Sequence, residues 1–301
     1  MRKLFVCIAL GLTTLTGNAA SPLWMRDVQI SPDGTEIAFC YKGDIYKVSA
    51  GGGTAIQLTT QPSYECTPIW SPDSKQIAFA SDRNGNFDIF VMPATGGTAQ
   101  RLTTHSSSEL PSAFTPDGKY ILFSASIQDP SQSALFPTTA MTELYKVPVN
   151  GGRTEQVLGT PAEAVCYAPS GEFFLYQDRK GFEDEWRKHH TSSITRDIWL
   201  YDTKTGKHTN LTNHAGEDRN PVLSPDGKSV YLLSERKGSF NVYSFPLDNA
   251  QDLKAVTSFK THPVRFLSMS HGGTLCYAYD GEIYTQKDNA TPQKINIDIV
   301  R

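Results

Sequence analysis

A short turn motif recurs six times along the chain, and nothing else in the sequence restricts the fold so strongly. It reads Ser31-Pro-Asp-Gly34, Ser71-Pro-Asp-Ser74, Thr115-Pro-Asp-Gly118, Ala168-Pro-Ser-Gly171 and Ser224-Pro-Asp-Gly227, with a degenerate sixth copy at Ser270-His-Gly-Gly273. Proline presets the first central position of a turn, Asp suits the second, and Gly tolerates the left-handed conformation that ends it. Each turn precedes a strand-like apolar run, from Ile37-Ala-Phe39 in the first copy to Leu275-Cys-Tyr277 in the last. A second run follows with one shape, acid or amide, then aliphatic, then aromatic. Its copies are Asp44-Ile-Tyr46, Asp88-Ile-Phe90, Glu143-Leu-Tyr145, Asp197-Ile-Trp199, Asn241-Val-Tyr243 and Glu282-Ile-Tyr284. Most copies then carry a Gly-containing turn and a closing strand such as Gln57-Leu-Thr59 or Arg101-Leu-Thr103.

Each repeat therefore holds four short strands, one before the Pro-Asp turn and three after it. The turns start 40, 44, 53, 56 and 46 residues apart, which is the period of a four-stranded propeller blade. The predicted fold is all-β, a six-bladed β-propeller of four-stranded antiparallel blades. The innermost strand of blade one falls around Met25 to Ile30, and the outermost strand of blade six around Lys294 to Ile297. Neither terminus then supplies a strand to the other's blade. The propeller is open, without a shared closing blade, and its ring closes by side-chain packing alone. The recurring third-strand aromatics are expected to pack between blades. A ligand-stacking ladder is the alternative, and recurrence in every blade favours the core.

Two insertions interrupt the repeat, near Ile127 to Thr142 in blade three and Asp178 to Arg196 in blade four. Both fall between second and third strands, so both map to one face of the disc. The blade-four insertion combines Phe182, Glu183, Trp186, His189 and His190 with dense charge. A metal site is conceivable there, but a solvated charged loop is the simpler reading. Trp186 reads either as a contact anchor or as packing of the insertion on itself. Glu65, Glu109 and Asp218 each lie six residues before the next turn motif, near one mouth of the central channel. They form a partial acidic ring that would favour cationic groups, or they cap turns through backbone amides.

Arg2 and Lys3, an apolar run from Leu4 to Leu15 and small residues at Gly17-Asn18-Ala19 read as a secretory signal. Cleavage is placed after Ala19, with Ala20 the near alternative and a buried N-terminal strand the competing reading. Residues 20–301 then form the propeller, and the expected location is periplasmic. No later segment is long or apolar enough to cross a bilayer. The net charge of −3 comes with no basic block, so no nucleic-acid partner is expected. Cys40, Cys66, Cys166 and Cys276 permit disulfides in an exported chain, yet three sit in apolar strand patterns and favour buried thiols. No nucleophile elbow, zinc-peptidase motif or phosphate loop occurs. Catalytic residues, a metal and a cofactor are not expected in this chain.

The repeat Ser-Pro-Asp-Gly, strand, Asp-Ile-Tyr, Gly-Gly, Leu-Thr resembles the TolB-type propeller repeat. Narrower segments resemble the tricorn-type proteases of bacterial envelopes. These are Leu23-Trp-Met25, Gly181-Phe-Glu-Asp-Glu-Trp186 with Thr191-Ser-Ser193, Arg196-Asp-Ile-Trp199, and Gly216-Glu-Asp-Arg-Asn-Pro221. In that family a six-bladed propeller without a shared closing blade comes first. A seven-bladed propeller, a PDZ domain and a serine-peptidase core follow. The resemblance implies that this chain is the non-catalytic propeller arm of an exported serine peptidase. It would serve peptide passage or gating, with the remaining domains or subunits of the enzyme as partners. The alternative is a stand-alone TolB-like periplasmic module that binds a protein.

Overall fold

Each Pro-Asp turn is closed by its own side chains. Ser31 Oγ donates to Asp33 Oδ1 at 2.6 Å and accepts the Glu36 N–H at 3.0 Å, while the Gly34 N–H reaches the Ser31 carbonyl at 2.8 Å. The same bonds recur with Ser71 and Asp73, Thr115 and Asp117, and Ser224 and Asp226. The hydroxyl bond in each turn holds its Asp carboxyl below the usual range. The third-strand acid and the closing Thr form a second recurring clamp. Thr59, Thr103, Thr212 and Thr257 accept the N–H of Ile45, Ile89, Ile198 and Val242 at 2.8–2.9 Å. Thr59 and Thr257 also donate to Asp44 and Asn241. In blades one, two and five, which carry both, the two motifs pin opposite ends of the blade.

The computed structural model describes residues 22–127, 141–181, 186–187, 194–287 and 289–300. The described residues form six four-stranded antiparallel sheets, five from consecutive strands and the first with the short strand Gly53–Thr54 skipped before its fourth. Blade one runs Arg26–Ile30, Glu36–Tyr41, Asp44–Ser49 and Ile56–Gln57 from the axis outward. The other innermost strands are Glu65–Trp70, Leu110–Phe114, Glu163–Tyr167, Asp218–Leu223 and Arg265–Met269. These six neighbour one another in a closed cycle.

The core lies between blades rather than within one layer. Six clusters of buried apolar side chains occupy the six seams. The seam between blades one and two joins Ala38, Cys40 and Ile45 to Trp70, Phe79 and Phe90. Within blades, second- and third-strand aromatics stand opposite each other. Phe39–Tyr46, Phe79–Phe90, Phe123–Tyr145 and Tyr277–Tyr284 stack at centroid distances of 5.8–6.2 Å. The recurring aromatics are therefore packing residues. The four described cysteines are free thiols. Burial pushes Cys66 up to about 12 and Cys166 up to about 11.

The seam between blades six and one is closed in a way the repeat does not announce. No blade shares a strand with the other terminus, as expected for an open propeller. Packing alone does not close the ring, however. The outermost strand of blade six is only Gln293–Lys294, and the chain then crosses to blade one. There Ile297–Asp298 pairs in parallel with Gly53–Thr54. The Gly53 N–H reaches the Asn296 carbonyl at 2.9 Å, and the Ala55 N–H reaches the Asp298 carbonyl at 2.8 Å. Ile295 and Ile297 bury themselves in the seam beside Met25, Tyr46 and Val48. Met25 contributes a further bond from its N–H to the Gly281 carbonyl at 3.2 Å.

The Gly51-Gly-Gly53 turn is what lets the crossing chain approach. Gly52 has φ +91°, and a Cβ there would meet the Asn296 carbonyl oxygen at 2.6 Å. Backbone cannot yield as a flexible side chain can. Gly52→Ala is therefore expected to destabilise the fold by roughly 1–3 kcal/mol through strain and loss of the crossing pair. Thermal melting measures this, with Gly85→Ala as the comparison, since Gly85 has φ +108° but nothing within 4 Å of an added Cβ. Equal effects at the two positions would contradict the crossing.

Candidate functional site

In each antiparallel blade the innermost strand begins on the face where the second strand ends and the third begins. The described ends of the blade-three and blade-four insertions therefore share a face with the starts of all six innermost strands. Those strands are all irregular. Register shifts occur at Arg26/Gln29, Cys66/Ile69, Pro111/Ala113, Glu163/Cys166, Arg219/Val222 and Arg265/Ser268. At five of the six, one residue has left-handed φ: Asp27, Thr67, Ala164, Asn220 and Phe266. A bulge of this kind re-aims a side chain out of the alternating pattern. Asp27, Thr67, Asn220 and Phe266 accordingly line an axial cavity of about 180 Å³, together with Arg196 and Arg219.

The three predicted channel-mouth acids lie at this face but are enclosed. Glu65 is 0% exposed, Glu109 1% and Asp218 0%. Glu65 accepts bonds from Ser63, Ser81 and Arg83, and Asp218 pairs with Arg236 at 3.2 Å and lies 3.2 Å from His214. Glu163 of blade four does the same with Arg179 at 2.9 Å and Gln177 at 3.2 Å. Glu65, Glu163 and Asp218 are thus tied to the chain just after their own second strands, and of the two readings the acidic ring is not displayed. The sequence signal lay in Ser81-x-Arg83 and Ser234-x-Arg236. In both, the arginine bonds the preceding Ser and the acid together.

Positive groups face the axis instead. Arg196, Arg219 and Arg265 line the axial cavity with Asp27 as the one carboxylate among its lining residues. Behind them sits Glu217, fully buried, which accepts from Arg196 at 2.6 Å and also from Arg187 and Arg219. Burial alone would raise the Glu217 carboxyl. Arg219, then Arg187 and Arg196, more than offset that and hold it at about 2.

Trp186 and Arg187 bring the blade-four insertion across this face. Arg187 pairs with Glu235 of blade five at 2.6 Å, and its guanidinium lies over Phe240. Trp186 borders the axial cavity and packs on Phe266 of blade six, with ring centroids 5.9 Å apart. Arg26 of blade one and Arg265 of blade six place their guanidinium groups over its indole, at 4.6 and 5.1 Å from the centroid. Arg265 also donates to the carbonyls of Trp186 and Arg187. The indole that read either as a rim anchor or as packing of the insertion on itself sits beside the axis, touching blades one and six, and is 45% exposed. Phe182, Glu183, His189 and His190 lie outside the described residues. Among the described residues no group of three or more His, Cys, Asp or Glu is placed to hold a metal. Nor is any helix among them long and apolar enough to cross a membrane.

Glu109 differs from the other two acids. It has no arginine after its own second strand and instead approaches Asp88, Arg101 and Thr103 of blade two. Burial pushes its carboxyl up to about 7. The Thr103 hydroxyl opposes this, the Asp88 charge adds to it, and Arg101 opposes it again. The folded chain thus keeps this proton to about pH 7, whereas the unfolded chain releases it near ~4.3. The contribution favours the fold at low pH and is lost as pH rises through that window. Glu109→Gln should leave stability near pH 4 unchanged and raise it at pH 8 by on the order of 2 kcal/mol. Denaturant titration at the two pH values checks this, and an equal effect at both would contradict it.

Comparison with known proteins places this geometry. A crystallised tricorn protease superposes with TM-score 0.76 at 21% identity, covering 91% of this chain and 26% of that one. TolB from Acinetobacter baumannii gives 0.64 at 20% identity, covering 91% and 62%. These likenesses concern the fold. By sequence, an uncharacterized peptidase of Bacillus subtilis, YuxL, is 32% identical over 72 residues, 24% of this chain and 10% of its own. An uncharacterized protein of Agrobacterium fabrum is 31% identical over 146 residues, 47% of this chain and 44% of its own. The chain thus spans less than half the length of either curated relative. The family model described as the tricorn protease N-terminal β-propeller domain matches residues 22–292, and the chain belongs to that family.

Proposed function

We propose that this chain is the exported, non-catalytic propeller arm of a tricorn-like serine peptidase, and that its axial cavity is a gated passage for peptides. The observation that carries the reading is the arrangement at the axis. Bulged innermost strands aim polar and charged groups inward, and the Trp186–Arg187 segment of blade four narrows the opening. A family match over most of the chain supplies the peptidase context. A relative named as a peptidase supports the same direction. The gate is Trp186, held between Arg26 and Arg265, with Arg187 clasping Glu217 and Glu235. Peptides offer backbone carbonyl acceptors, and carboxylates at their C-terminus and acidic side chains, that suit the arginines of the lining. The exposed faces of the disc, including the insertion rim, dock the remaining domains or subunits.

Native purification tests this reading. The protein recovered from the periplasmic fraction should begin at Ala20 or Ser21 and migrate with serine-peptidase activity abolished by an organophosphate inhibitor. Purified residues 20–301 alone should hydrolyse no peptide. A protein that migrates alone, without peptidase activity, would overturn the proposal and favour a TolB-like binding module. Turnover by residues 20–301 that survives repurification would overturn the non-catalytic role.

A further inference from the structure

Beside the axis, at the seam of blades one and six, lies a cleft of about 500 Å³. Leu23, Trp24 and Arg26 of blade one form one wall, Arg265 and Phe266 of blade six another, and Trp186 the inner end. We propose that this cleft binds an extended peptide segment in which a large apolar side chain is flanked by acidic residues.

Three independent features point to an occupant of that chemistry. The first is apolar exposure. Trp24 is 69% exposed, Leu23 51% and Trp186 45%, all on one concave surface. Clustered exposed aromatics of this kind mark contact surfaces, whereas isolated exposed apolar residues do not.

The second is left-handed backbone at two bulky wall residues. Trp24 has φ 70° and Phe266 has φ 59°, a region costly for bulky residues. Gly281 makes the Trp24 conformation possible, since a Cβ there would lie 2.9 Å from the Trp24 nitrogen. The Met25 N–H bond to the Gly281 carbonyl then fixes the approach. The indole of Trp24 is thereby presented outward by a constrained backbone rather than left on a loose end.

The third is charge. Arg26 and Arg265 converge on one indole, placing two guanidinium groups at the cleft. Its carboxylate, Asp280, lies 3.2 Å from His262. The lining is net positive in a chain whose net charge is −3. Such a site attracts anionic groups beside the apolar contact and repels cationic ones. The side chain would enter between Trp24 and Trp186, while flanking carboxylates meet Arg26 and Arg265. The inference rests on the peptidase reading, because that reading brings peptides to this face.

Calorimetric titration of the mature protein with end-blocked pentapeptides tests it, since blocked ends remove terminal charges. The probe is Ac-Glu-Asp-Phe-Glu-Asp-NH2. Its controls replace the central Phe with Ala, or all four acids with Lys. The probe should bind at least about tenfold tighter than either control. Trp24→Ala should weaken it by about tenfold, Arg26→Glu should abolish it, and Arg26→Lys should retain most of it. Ile56→Ala, exposed on the outermost strand of blade one, should change nothing. Equal binding of all three peptides, no binding, or indifference to Trp24→Ala would overturn the proposal. If those results came with intact peptidase co-purification, the cleft inference alone would fail.

Discussion

Apolar contact between neighbouring blades is what the rest of the molecule depends on. A four-stranded sheet with apolar side chains on both faces cannot be stable alone in water, because each face must be covered. Six such sheets arranged radially cover one another, and every buried cluster in this chain spans a seam. The blade is thus a unit of sequence but not of stability. Closure of the ring follows as a requirement, since an unpaired seam would expose two apolar faces. The chain meets that requirement by carrying Ile295 and Ile297 across to blade one and pairing the last strand with Gly53–Thr54.

Closure also dictates what happens at the axis. Six innermost strands converge there, and a regular strand would turn alternate side chains into its neighbours. The bulges relieve this by turning Asp27, Thr67, Asn220 and Phe266 toward the cavity. The bulged residues tie adjacent blades as well. Asp27 accepts the Thr67 N–H at 3.2 Å, and Gln177 accepts the Asn220 N–H at 2.9 Å. The same crowded face holds the ion cluster around Glu217. A buried carboxylate among three arginines gives little net stability over an apolar substitute, because desolvation offsets the attraction. Its effect is positional. It fixes Arg187, and through Arg187 the insertion that narrows the axis.

Features that repeat were legible in the sequence. The Pro-Asp turn and the Asp-aliphatic-aromatic strand announce themselves because most blades reuse the same bonds, such as Ser31 to Asp33 and Ile45 to Thr59. The insertions were legible as departures from that period. Features used once were not. A parallel pair of two residues leaves no pattern, so the crossing to Gly53–Thr54 could not be read, although the three successive glycines at Gly51 to Gly53 hinted at a close approach. The partners of the channel-mouth acids were not legible for a related reason. Glu65 and Asp218 stand out in their own strands, but Arg83 and Arg236 that neutralise them lie 18 residues later in each case. Trp186 was identified as consequential, but its partners Arg26 and Arg265 are at opposite ends of the chain.

The seam between blades one and six is expected to be as firmly closed as the other five. Native-state amide hydrogen exchange of the mature chain reads this directly, because strands that open only with the whole fold share its free energy. The comparison is between the second strands of blades one and six, Glu36–Tyr41 and Thr274–Tyr279, and that of blade three, Tyr120–Ala125. Exchange of all three through one common opening is the expected result. Exchange of the first two at distinctly lower free energy would mean that the ring opens at its seam, contradicting closure by the crossing strand and the packed cluster beneath it.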